Sequence, residues 1–201
     1  VISPSRKFAR YIRGKETPNI ISSLGTVVHE MAHGYSHNLV YTILKDRNIV
    51  PEIQDRYMVV PLNTEESILI KETETFPSKK LVEVIPRELR TRRFNTYIKT
   101  KNFVLSTQKS GIYGLLGEFM AYYQDTKTVY DLYNYYIRKA VPANQDYLDY
   151  MSDFNGTYYA HLEFKHYILS YLLYARENYS QIYQDIIANK AFTEAFLKVD
   201  A

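Results

Sequence analysis

The chain contains no cysteine and no tryptophan. Without cysteine there is no disulfide, no thiolate metal site and no thiol nucleophile, and cysteine usage leaves the compartment open. No run of about 18 apolar residues occurs, so the sequence holds no membrane-spanning helix. Charge of one sign is also scarce: a net charge of +3 does not point to nucleic acid as a partner. Tyrosine, by contrast, is abundant, with 21 Tyr against 9 Phe. Such a bias suits recognition clefts, but an AT-rich coding sequence is the simpler explanation. The 201 residues, 46% apolar and 23% charged, are enough to bury a real core. They read as one domain spanning 1–201, with room for a small subdomain. No signal peptide is visible, and the chain opens at Val1. It reads as a processed product whose export signal lay upstream, so a secreted or extracytoplasmic location is expected.

Residues 1–16, with Arg6, Lys7, Arg10, Arg13 and Lys15, form a basic leader. Thr17-Pro18 supplies a helix cap and a first-turn proline, predicting a helix from 17 to 48 that ends before Pro51. Ile20, Leu24, Val27, Val28, Met31, Tyr35 and Leu39 recur along it at helical spacing. Over 51–110, Pro51, Pro61, Pro77 and Pro86 punctuate short β-type runs: RYMVVP, SILIKE, KLVEVIP and FNTYIKT. Helical patterning returns over 112–139, ending at Pro142, and continues over 153–177 and 179–198. The expected fold class is α+β, predominantly helical, with a small β-sheet subdomain inserted between two long helices. The basic cluster Arg87, Arg90, Arg92, Arg93, Lys99 and Lys101 reads as a solvated face.

The first helix carries His29-Glu30-x-x-His33. Residues four apart lie on one helix face, about 6 Å apart along the axis, so both imidazoles reach a single ion. Glu30 sits beside that row, where it reaches a water on the ion rather than the ion itself. From Thr17 to Leu44 Glu30 is the only charged residue, which predicts a largely buried helix whose acid needs a compensating charge. His37 extends the row but lies about 12 Å along the axis from His29, too far to share an ion. It reads as a cleft, core or supporting residue. Glu118 is the better third ligand, being the only charged residue between Lys109 and Asp125 in an apolar helix. Two histidines and one glutamate make a His₂Glu set. The alternative for Glu118 is a carboxylate paired with an arginine.

The stretch TVVHEMAHGY resembles the zincin metallopeptidases, and a glutamate on a second helix resembles their gluzincin branch. The resemblance covers these two helices. It implies a zincin-like catalytic domain holding one Zn²⁺ on His29, His33 and Glu118, with Glu30 as general base. It implies zinc-dependent hydrolysis of a peptide or protein substrate. It also implies a group that hydrogen-bonds the developing oxyanion: Tyr113 first, with His161 or His166 as further candidates. TQKSG, residues 107–111, reads as a flexible rim to the cleft. The sequence departs from the family in having its sheet-like segment after the active-site helix. It also has Tyr122 where many gluzincins place an Asp that orients a ligand His; Asp125 comes further on.

A rival reading starts from Glu30-x-x-His33 and its repeat, Glu163-x-x-His166. With Glu118 between them, they match the di-iron carboxylate pattern of ferritin-like bundles, implying an oxidase or metal-handling protein. Three features weigh against it. Only Glu16 precedes the first motif as a further acid, the proline-punctuated segment is unlike bundle helix, and His29 is left without a role. Glu163 and His166 then read as exposed. A third reading keeps a zincin-like fold that binds a partner or peptide through its Tyr-rich cleft without cleaving it.

Overall fold

Pro18 belongs in the first turn of a helix, where its missing N–H costs no hydrogen bond. In a computed structural model describing residues 6–139 and 145–201, helix α1 spans Thr17–Ser22, with Glu16 rather than Thr17 at its cap. Helix α2 spans Leu24–Asp46, so the single helix expected over 17–48 is two, joined at Ser23. The buried Ser23 hydroxyl donates to the Asn19 carbonyl at 2.6 Å and accepts the Arg13 N–H at 2.9 Å. Back-bonding of this kind bends helices. Residues 1–5 of the basic leader, and the helix end expected at Pro142, lie outside the described residues.

Two of the four expected strands form. β1 (Tyr57–Pro61) pairs antiparallel with β2 (Ser67–Lys71), placing Val59 opposite Leu69. Asn63 shapes the turn by accepting the N–H groups of Glu65 and Glu66 at 2.9 and 2.8 Å. The other two runs are a 3₁₀ turn over Ser78–Glu83 and a π-helical turn over Phe94–Ile98. Their buried residues explain the difference. Leu81 and Ile85, like Phe94 and Ile98, are buried while Glu83 and Thr96 between them are exposed; a strand would put all three of each set on one face, whereas a helical turn carries the middle residue away.

After α3 (Ser106–Lys109) come α4 (Ile112–Asp131), α5 (Tyr133–Lys139), α6 (Gln145–Asn178), α7 (Ser180–Ala188) and α8 (Lys190–Asp200). The helix expected over 112–139 breaks at Leu132, and the one expected from 153 starts at 145. The helix expected over 179–198 is divided at Asn189, whose side chain caps α8 by accepting the Phe192 N–H at 3.3 Å.

Helix α4 lies at the centre. Its Leu115, Leu116 and Phe119 are fully buried and join Phe164, Tyr167 and Tyr171 of α6 in one core. Val60 and Ile70 of the hairpin belong to that same core, so the sheet is part of it and not a separate subdomain. Polar ties hold the hairpin in place. Ser36 of α2 donates to the Val59 carbonyl, and Gln124 of α4 donates to the Pro61 carbonyl at 3.2 Å. The protein is thus mostly helical with one small antiparallel sheet. Among the described residues, no helix is long and apolar enough to cross a membrane.

Candidate metal centre

Helices α2 and α4 run antiparallel, and small and polar residues meet along their seam. Gly25 faces Asp125 and Val129, His29 faces Glu118 and Tyr122, and His33 faces Glu118. One helical turn separates the two histidines, whose ring centroids are 5.0 Å apart. The Nε2 atoms of His29 and His33 each lie 3.6 Å from Glu118 Oε2. That is too long for a hydrogen bond. It is close to the separation of about 3.3–3.4 Å between two ligands of a tetrahedral zinc bonded at about 2.0–2.1 Å. The three ligand atoms all fall within 4.8 Å of one another, the one such His/Asp/Glu group among the described residues.

Burial sharpens the point. His29 is 8% and Glu118 6% exposed, and both His29 Nδ1 and Glu118 Oε2 are buried without a hydrogen-bond partner. A buried carboxylate whose oxygen finds no donor is costly unless a cation compensates it. Burial pushes the Glu118 carboxyl up, but His29 and His33 outweigh it and hold the group at about 2. Burial also lowers His33, yet Glu118, with a smaller contribution from Glu30, raises it above its ordinary value. The donors are of the type that suits zinc, and the site they form favours positive charge.

Glu30 stands next to this row, half-buried, and borders a cleft of about 970 Å³ together with His33, Met31, Tyr35, Leu62 and Gln124. The expectation of a largely buried α2 is therefore corrected. His29 is buried against α4, but the other flank of the helix forms a cleft wall, and that flank is uncharged apart from Glu30. His37 lines the same cleft, its ring 5.5 Å from that of Tyr41.

Several residues besides the three surround the cluster. Tyr122 lays its ring against His29 at 4.5 Å, and the Arg93 guanidinium stacks over Tyr122 at 4.9 Å. Its position one turn beyond Glu118 could have pointed to Tyr122. Tyr97 comes from the π-helical turn, and its hydroxyl is in polar contact with Glu118 and Tyr122. Burial first, and then the Glu118 charge, push its ionisation far above the ordinary tyrosine range. Isolated π turns recur at functional sites, but nothing in the sequence FNTYI announces one.

The remaining predicted residues sit elsewhere. The Tyr113 hydroxyl contacts Thr73 Oγ1 at 2.8 Å and accepts from the Thr73 N–H at 3.1 Å and the Asn189 amide at 3.2 Å. Its ring meets Phe192, and none of these partners belongs to the cluster. His161 stacks on Phe119 at 4.3 Å, and burial lowers its pKa. His166 is likewise lowered by burial, with its Nε2 buried and unpartnered. Neither joins Glu118. Glu163 is neither exposed nor a ligand: it pairs with Arg93 at 3.4 Å. The two Glu-x-x-His motifs are therefore not brought together, and this arginine neutralises Glu163 rather than Glu118. Arg93 also donates to the Gly156 carbonyl, and Arg90 to those of Ile85 and Val82, so the basic cluster is only partly a solvated face. No family model matches the chain, and no match to it is found among curated proteins or solved structures.

Proposed function

We propose that this chain is a zinc-dependent peptidase of zincin-like, gluzincin-like design, with His29, His33 and Glu118 as ligands and Glu30 as general base. The observation that carries the reading is the trio of ligand atoms, with each histidine Nε2 3.6 Å from a buried, unpartnered carboxylate oxygen, at the edge of a cleft that Glu30 borders. A zinc ion held there supplies Lewis-acid polarisation of a scissile carbonyl and acidifies the attacking water. The protein's own groups do the rest. Glu30 accepts the proton from that water and passes it to the leaving amine. Tyr97 fixes the Glu118 carboxylate, and Tyr122 packs the His29 ring, so both are held in orientation. The apolar wall of Met31, Tyr35 and Leu62 receives substrate side chains, with Gln124 as a polar anchor.

Elemental analysis of wild type and Glu118→Ala tests the ligand set. The reading expects about one zinc per wild-type chain and loss of metal in the variant. Zinc retained by Glu118→Ala, or iron at about two per chain, contradicts it. Metal without cleavage across a broad peptide library would favour a binding protein with the same site.

A further inference from the structure

Resting on the metal site above, we propose that Asp125 is the positioning residue for His29: its carboxylate accepts the His29 Nδ1–H when Nε2 serves as the ligand. Besides Glu118 Oε2, two further buried atoms on this seam lack any hydrogen-bond partner, and they complement each other: His29 Nδ1 and Asp125 Oδ1. When Nε2 offers its lone pair, the neutral imidazole carries its proton on Nδ1, which must then find an acceptor. Asp125 lies seven residues beyond Glu118 on the same helix, on the stripe Glu118, Tyr122, Asp125 that faces α2. It is 7% exposed, and the titratable or charged groups around it are His29, Asp153 and Arg93.

Gly25 supports the assignment independently. It stands one turn before His29 on the same face of α2, and helical side chains lean toward the N-terminus, which directs His29 toward the Gly25 turn. A Cβ at Gly25 would sit 2.2 Å from Asp125 Oδ1 and 2.9 Å from Val129 Cγ2. The missing side chain is thus the space the Asp125 carboxylate occupies against α2. Glycine is a poorer helix former than alanine, so a glycine here needs a packing reason.

The test is zinc affinity, measured with Zn²⁺ alone by competition against a chelator. Asp125→Ala and Gly25→Ala should each weaken it by about 10- to 100-fold, and Asp125→Asn, which keeps the shape and a weaker acceptor, by less. The second readout is the His29 Nδ1 proton in a ¹H–¹⁵N spectrum, protected in wild type and lost in Asp125→Ala. A merely structural role would leave that proton in place. Zinc affinity within about threefold of wild type in folded Asp125→Ala, or an unchanged Nδ1 signal, overturns the assignment. If Asp125→Ala does not fold, Gly25→Ala decides by the same two readings. Wild type without zinc affinity would remove the metal reading itself, and the Nδ1 signal of the metal-free chain would then decide the role of Asp125.

Discussion

Glu30 and Glu118 are both carboxylates in charge-poor helices, yet their surroundings give them different work. Glu118 is buried against two imidazoles and stays ionised, with its carboxyl held at about 2. Glu30 faces the cleft. Glu30→Gln should therefore retain zinc and lower peptide hydrolysis by about 10²- to 10⁴-fold, the usual worth of a general base; metal content and turnover measured on one preparation check both halves. The same residues set a pH dependence for the metal-free chain. The depressed Glu118 contributes stability above its ordinary value of 4.5, and loses it as pH falls towards about 2. The raised His33 contributes fully below 6.5 and loses its share as pH rises through its folded value. Burial, with Asp153 adding to it, lifts Asp125 from 3.8 to about 6, so its neutral form is favoured and its share also fades as pH rises through 6. The metal-free protein should be less stable at pH 8 than at pH 5.5 by roughly 1–3 kcal/mol, read from urea unfolding at the two pH values. Equal midpoints would refute this account.

Each of the two helices that carry the His29, His33 and Glu118 cluster is set by a device at its start. The angle of α2 comes from Ser23, and the start of α4 from Gly111, whose φ of 52° and ψ of −119° suit glycine alone. A Cβ there would meet the Phe76 carbonyl at 2.5 Å and the Tyr171 hydroxyl at 2.6 Å. Gly111→Ala should cost at least about 1–3 kcal/mol in thermal unfolding, because the strain and the clash have no simple relief. The two long helices were legible because their apolar residues and lone carboxylates follow the helical period. The runs at 81–86 and 94–100 were not. Their β-type residues favour strands locally, but burial of Leu81 with Ile85 and of Phe94 with Ile98, leaving Glu83 and Thr96 in solvent, fits helical turns and not strands. Tertiary packing overrode propensity there, and it placed Tyr97 beside Glu118.

Across the molecule, polar ties bind the segment between α2 and α4 to the core. The Tyr171 hydroxyl accepts the Phe76 N–H and donates to the Phe76 carbonyl, both at 2.7 Å, from a ring stacked on Phe76 at 4.0 Å. Tyr171→Phe should lose about 1–3 kcal/mol of stability while leaving zinc affinity near wild type, since both backbone groups are left buried and unpaired. Chelator competition and thermal unfolding separate the two effects. By itself the sequence determined the spacing of the histidine pair, because the helical repeat alone brings His29 and His33 to one face and puts His37 a further turn along the axis, beyond reach of the same point. It also marked Glu118, because a single acid in an apolar helix must be compensated. Only the tertiary structure decided which groups surround those ligands. Tyr97, Tyr122, Arg93 and Asp125 reach the seam through contacts between distant segments, and it is such contacts, through Thr73, Asn189 and Phe192, that hold Tyr113 elsewhere. Local patterning fixes which face a residue occupies; packing between elements fixes what that face meets.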